Sequence, residues 1–338
     1  MAHGIKELDR LVVGFVDVYG NTWHQHPNCV LVDGPVSLEQ AADAFDYTVE
    51  KADVVIAGTD FVVFGNHPLV RKDGENNDIT VVYPSVGERY AVIQNSELLS
   101  WIEAGVIIPY DVSIESAGTL LNGQKAFVNL LLPLEHTVHG DVSPTITRMM
   151  YSNSFGQESY QVCIHTTRVV CDNTVRIASA QGAANSTLRR FRHTKNAASH
   201  IEACMVDLAS VFSSIRDYHS QMDVLAEMTV NGKQIEAFLD AIFPLKTNDD
   251  GEVADGRGNT RHSNQRDAII GIFDGKDDLQ ASGIRHTRYS LFQAVTDWAD
   301  HDSPVRNGDD VLGRFWDGLW GTKDKFKQKT LDAIIALR

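Results

Sequence analysis

Along this chain the spacing of apolar positions alternates between two and three-to-four, and the changes of period outline the elements. RLVVGFVDV (residues 10–18) is a β-branched run that predicts a strand. SLEQAADAFDY (37–47) places apolar residues at helical spacing behind Ser37, whose hydroxyl can accept from first-turn amides. ADVVIAGTDFVVFG (52–65) predicts a hairpin turning near Gly58, ITVVYPSV (79–86) a strand after a polar turn, and NSELLSWIEAG (95–105) an N-capped helix closed by Gly105.

The next stretch is the most regular. VSIESAGTL and KAFVNLLLPL flank LNGQ, where Asn122 and Gly123 both tolerate the positive φ of a tight hairpin turn. TITRMMYSNS and SYQVCIHTTR form a second strand pair around FGQE, and a helix is expected from about Thr167, giving the order β-β-β-β-α. After the polar QGAANSTLRRFRHTKN (181–196), a long helix is predicted from about Ala197 to Met228. It carries Ile201, Met205, Leu208, Phe212, Ile215, Met222 and Leu225 on one stripe. Residues 246–266 lack apolar periodicity and read as a mobile loop; the remainder reads as helices. The pattern predicts an α+β fold, an antiparallel sheet crossed by a long helix, with an N-terminal mixed α/β part and a helical C-terminal region. The expected regions are 1–110, 111–230 and 231–338.

Composition narrows the class. The 338 residues are 43% hydrophobic and 22% charged, which fits a globular chain rather than a disordered one. There is no leader-like apolar segment behind a basic start and no uninterrupted apolar run of about 18 residues, so no membrane partner is expected and a cytoplasmic location in a bacterial host is. Four cysteines in so long a chain are too few for a disulfide framework. The net charge of −15 opposes nucleic-acid binding on average. Between Thr145 and His200, however, seven basic residues stand against two acidic ones, so that segment carries +5 and the rest −20. A basic island in an acidic chain is a candidate anion-binding face.

CIHTTRVVCDNTVRIA (163–178) gathers the chemistry-bearing residue types. As a metal centre, Cys163, His165 and Cys171 have a spacing that matches no usual zinc pair, and His24, His26 and Cys29 in TWHQHPNC sit together on one short segment. As a thiol centre, Cys171 would need His165 as base and Asn173 to orient it. As an anion-binding corner, a helix from Thr167 would put Arg168 and Arg176 on one stripe. LRRFRHTKN would add Arg189, Arg190, Arg192 and Lys195 around Phe191, the mixture of cations and an aromatic that single-strand binders use for phosphates and bases.

The order of TWH, DGPVSLEQAADAFDYTVEK, YAVIQNSELLSW, ESAGTLLNGQKAFVNLLLP, TRVVCDNTVRIA, FRHTKNAASHI, FLDAIFPL and LFQAVTDWADHDSPVR resembles the phage/plasmid-like protein family, domain of unknown function 932. Members often continue the Trp-His with Gly-Leu-Gly, where this chain has QHPNC. The β-β-β-β-α order, the basic island and the long helix are also similar to the phage single-strand annealing proteins, such as Red beta. Their resemblance implies a ring subunit with a basic groove.

The expectation is therefore a non-enzymatic, cofactor-free protein that binds single-stranded DNA, with RNA not distinguished. It would promote strand annealing in recombination as a ring- or filament-forming homo-oligomer, using Arg168, Arg176, Arg189, Arg190, Phe191, Arg192 and Lys195. The alternatives are a phage factor that binds a host protein through its acidic surface, and a thiol or metal enzyme.

Overall fold

The computed structural model describes residues 5–15, 27–74, 76–168, 173–176, 188–197, 199–201, 208–248, 250, 254, 256–280, 283–304, 317 and 321–337. The chain divides into two compact units. One comprises the described residues of Met1–Pro133, Arg148–Ile164 and Ala183–Phe212; the other those of Leu134–Thr147, His165–Gly182 and Ser213–Arg338. Helix and antiparallel sheet are both extensive, as the pattern predicts, and the C-terminal part is helical. Among the described residues no helix is long and apolar enough to cross a membrane.

The largest sheet is built from β1 (Leu11–Val13), β2 (Cys29–Leu31), β8 (Ser113–Leu120), β9 (Lys125–Thr137), β10 (Pro144–Ser154), β11 (Tyr160–Arg168), β12 (Asn173–Arg176) and β13 (Leu188–Phe191). Its order is β12-β11-β10-β9-β8-β1-β2, with β13 also paired to β11. β1 and β2 are parallel; the β1–β8, β8–β9, β11–β12 and β11–β13 pairs are antiparallel. β8, β9 and β10 bury nearly every residue on both faces over most of their length; β9 accordingly reads as an apolar run, while β8 and β10 also bury polar side chains such as Ser116, Thr119, Thr147 and Asn153.

In the first unit, β3 (Thr48–Lys51), β6 (His67–Asp73) and β7 (Asp78–Val86) form a second sheet, and β4 (Val54–Val55) and β5 (Val62–Val63) the hairpin expected around Gly58. HPLVRKD, within the stretch expected to open on a polar turn, forms β6 because Leu69 enters a core with Val49, Tyr83, Val86 and Phe155, while Val70 beside it is buried as well. Helix α1 (Leu38–Asp43) starts at Ser37 with a reciprocal capping box to Gln40. Helix α2 (Asn95–Ile102) is capped by Gln94 and does not stop at Gly105. It passes into a π-helical turn over Glu103–Ile107 and ends past Tyr110 at left-handed Asp111.

The Asn122–Gly123 turn is held by a polar hub. Leu121, Asn122 and Gly123 all have positive φ. Asp9 accepts from the Gly123 amide at 2.7 Å, the Tyr47 hydroxyl donates to the Gly123 carbonyl at 2.7 Å, and Tyr83 donates to the Asn122 carbonyl at 2.7 Å. Arg71 lies over the Tyr47 ring and donates to the Asn122 and Leu8 carbonyls and to Asp73. A Cβ at Gly123 would come within 2.6 Å of the Arg71 guanidinium, so glycine is required here by space as well as by φ.

Helix α3 (Leu208–Glu227), which enters the second unit at Ser213, packs on strands of that unit. His219 stacks on His136 of β9 (4.5 Å, 11°) and meets Thr147 of β10 at 3.5 Å, and Tyr218 is hydrogen-bonded to Thr166 of β11. Asp223 accepts from His136 Nε2 and from the His139 amide, both at 3.0 Å. Of the expected helix from Ala197, residues 197 and 199–201 are helical, and Met205 lies outside the described residues. Helices α4 (Gly232–Ile242), α5 (Arg257–Gly275), α6 (Arg288–Asp297) and α7 (Thr322–Ala336) follow, with a π-helical turn at Trp298–Asp302; α6 and α7 pack on β12. Gly140 and Gly283 touch backbone to backbone, where a Cβ on either would sit under 3 Å from the other.

Two further expectations are corrected. No helix begins at Thr167: Thr166, Thr167, Thr174 and Val175 are β-branched and pair in the β11–β12 ladder instead. The β-β-β-β-α order behind the likeness to annealing proteins is therefore not reproduced at that point. Residues 257–266, expected within a mobile loop, form the first half of α5. Their inward anchors are polar: Asn259 holds the Lys246 amide (2.9 Å) and carbonyl (2.8 Å) and the Ala254 carbonyl (2.6 Å), while Arg266 is ion-paired to Glu236 (2.5 Å) and Asp240 (2.8 Å) of α4.

Candidate nucleic-acid interface

The segment 188–197 begins as β13, laid antiparallel along β11 with Tyr160 opposite Phe191, Gln161 opposite Arg190 and Val162 opposite Arg189. Among the described strands β13 has no partner on its other side. An extended chain alternates its side chains, and here the alternation separates anchors from cations. Phe191 is half-buried with its ring tilted 39° against Tyr160 at 6.0 Å. His193 is buried and stacks on Tyr90 at 4.7 Å, while its carbonyl accepts from the Ala91 amide at 3.0 Å. Ala197 is buried where the chain turns helical, after a bend closed by hydrogen bonds from Thr194 to Arg192 and from Ala197 to Thr194, both 2.8 Å. Around these anchors Arg190, Arg192 and Lys195 are exposed.

Arg190 Nε donates to the neutral Gln161 amide oxygen at 3.2 Å, and Arg190, Arg192 and Lys195 form no ion pair among the described residues. Arg189 is half-buried. Burial pushes the His193 pKa down, so the ring is a neutral anchor at pH 7 rather than a fourth cation. The arrangement can present three cations along a fixed stretch of backbone, the geometry a polyphosphate needs. Phe191 offers a base less than expected, because its ring rests against Tyr160.

The other expected residues fall elsewhere. Arg168 is paired with Asn173 across the β11–β12 ladder and Arg176 with His165, so the two share no helical stripe. Arg148 is withdrawn from the basic island: its guanidinium is bidentate on Glu115 (both 2.5 Å), which also accepts from Asn129 at 2.8 Å. Cys163 and His165 are buried on β11. Cys29 stands half-buried on β2 with its thiol pushed up by burial, the reverse of an activated nucleophile. His24, His26 and Cys171 lie outside the described residues.

The strongest concentration of shifted groups is the hub around Gly123, which sequence reading missed. Burial raises Asp9, holds Tyr47 well above its usual range and raises Tyr83. Such clusters mark candidate sites. This one is closed: Asp9, Arg71 and Tyr83 are all buried, and their polar atoms are used on the Asn122–Gly123 turn and on Asp73. It is a latch for the hairpin. The anchors His193 and Tyr90 were also missed; the alternation in RFRHTK signals His193, and nothing local signals Tyr90 as its partner.

No curated protein and no solved structure matches the chain. A family model does match, over residues 82–316, a span that includes the β8–β11 strands, the segment 188–197 and helices α3 to α6. That is well over half of the sequence, and the protein belongs to the family described as Domain of unknown function (DUF932).

Proposed function

We propose that the protein binds single-stranded nucleic acid through the segment 188–197, without catalysis, as a step toward strand annealing. The observation that carries the reading is the line of Arg190, Arg192 and Lys195, exposed, without an ion pair among the described residues and held in place by Phe191, His193 and Ala197. Fixing the backbone beforehand reduces the entropy lost on binding. A strip of single-file cations suits one phosphate backbone, and the surrounding −20 charge works against broad duplex contact. The test is a titration of labelled single-stranded and double-stranded oligonucleotides at about 50 mM salt, where phosphate contacts are strong. Saturable binding with a preference for the single strand supports the reading; no binding of either sinks it.

A second reading has its own observation. The β4–β5 hairpin exposes Val55, Ile56, Phe61 (72%), Val62 and Phe64 (87%), an apolar concentration on an element of two short strands. This favours a protein contact, either with further copies of the chain in a homo-oligomer or with a host protein. Sedimentation of the wild type beside Phe61→Ser/Phe64→Ser separates them: loss of a self-associated species assigns the hairpin to oligomerisation.

A further inference from the structure

We infer that the cleft along the first half of α5 binds a phosphate monoester carried on a planar ring, the chemistry shared by a free mononucleotide and the 5′-phosphorylated end of a strand. The cleft has a volume of about 720 Å³ and is lined by Gly256, Arg257, Thr260, Arg261, Asn264, Gln265, Trp298 and Pro304. That is within the range of about 300–1,000 Å³ common for small-molecule sites, and the cleft is broadly open to solvent rather than enclosed. It lies wholly in the second unit, so the inference does not depend on the segment 188–197.

The lining positions on α5 are 257, 260, 261, 264 and 265, which recur at three and four and make one polar stripe. The opposite stripe is fixed by Asn259, Arg266, Ile269 and Phe273, all buried, so α5 cannot roll its outward face away. Arg257 and Arg261 are exposed, one turn apart, and neither forms an ion pair among the described residues. Two guanidinium forks at this spacing can close on one group, and a phosphate monoester offers three oxygens and nearly two charges where a carboxylate offers two oxygens and one.

The far wall is apolar where Trp298 reaches it: the side chain is mostly buried, 7% exposed, so only its rim meets the cleft. Trp298 is held edge-on by Phe243 (5.5 Å, 83°) and Phe326 (5.9 Å, 70°), which themselves meet at 5.3 Å. The π-helical turn that begins at Trp298 is tied down by the Ser303 amide to the Trp298 carbonyl and the Ser303 hydroxyl to the Ala299 carbonyl, both 2.7 Å. Asn264 and Gln265 place carboxamides, each both donor and acceptor, beside that wall, the side-chain type that complements the edge of a nucleobase.

Calorimetry on the full chain tests this with adenosine 5′-monophosphate, adenosine, inorganic phosphate, and a short oligonucleotide with and without a 5′-phosphate. Each is titrated into the wild type, into Arg257→Ala/Arg261→Ala, and into Arg190→Ala/Arg192→Ala/Lys195→Ala. The expected result is that the phosphorylated nucleoside binds at least tenfold more tightly than adenosine or phosphate alone. The Arg257/Arg261 variant should lose that advantage with an unchanged melting temperature, and the 190/192/195 variant should keep it. Binding of the mononucleotide assigns a free nucleotide as ligand; an advantage confined to the 5′-phosphorylated oligonucleotide, retained in the 190/192/195 variant, assigns strand ends. No advantage of any phosphorylated probe, or an advantage that survives in Arg257→Ala/Arg261→Ala, overturns the inference.

Discussion

Two segments of this protein hold arginines outward, and they are fixed from behind by different means. In 188–197 the chain is extended, and its inward residues are Phe191, His193 and Ala197, set against Tyr160, Tyr90 and the start of a helix. In 257–266 the chain is a helix, and its inward residues begin with Asn259 and Arg266, set against backbone carbonyls and the carboxylates of α4. The first is anchored by ring packing and presents a line of charge; the second is anchored by polar bonds and presents a concave stripe. A cationic surface therefore needs only a rigid backing, and that backing can be as polar as the surface itself.

Acidification gives the largest expected difference, because the fold keeps both His193 and His219 neutral. Burial pushes the His219 pKa down to about 4 against 6.5 for the free side chain, so the unfolded chain takes up its proton first. Its contribution is fully present above pH 6.5 and is lost as pH falls toward 4, about 3 kcal/mol in all. Denaturant melts of wild type and His219→Gln between pH 7.5 and pH 4 should diverge by that amount. The slope remaining in the variant includes His193, whose pKa is also lowered, and should coincide with faster amide exchange in 188–197.

Removing the charges of the extended segment comes next. Arg190→Ala/Arg192→Ala/Lys195→Ala should weaken single-strand binding on the order of 100-fold at 50 mM salt, read by anisotropy, with no loss of stability because all three side chains are exposed. On the helical segment, Arg266→Ala should cost about 2 kcal/mol in a urea melt and raise amide exchange across 257–266. The value is held down because Glu236 and Asp240 are largely exposed and can rehydrate. Asn259→Ala should cost about 1 kcal/mol by the same melt, the worth of the bonds that tie Lys246 and Ala254 to the helix start.

The comparison also explains what could be read from the residues. The β8–β9 hairpin was legible because Asn122-Gly123 is a local signal, and the basic segment because its cations are dense in sequence. The first half of α5 was not legible as a helix: apolar period is the usual mark, and here the period is carried by Asn259 and Arg266, whose partners on α4 and near Lys246 are fixed only by the tertiary fold. The corner at Thr167 was misread for a related reason. Helical spacing of Arg168 and Arg176 from Thr167 looked adequate, but strand pairing to His165, Thr166 and Thr167 depends on a ladder that no local window contains. Arg148 joined the basic island in sequence and left it in the fold, because Glu115 is 33 positions away along the chain and beside it in space.

The most direct measurement for the central claim is the salt dependence of single-strand binding, wild type against Arg190→Ala/Arg192→Ala/Lys195→Ala. Each phosphate neutralised on a single strand contributes about 0.7 to the slope of log affinity against log salt. The account predicts a steep wild-type slope that falls by about 2 in the variant, three cations at that rate. Equal slopes in the two proteins, or a wild-type affinity indifferent to salt, would contradict it.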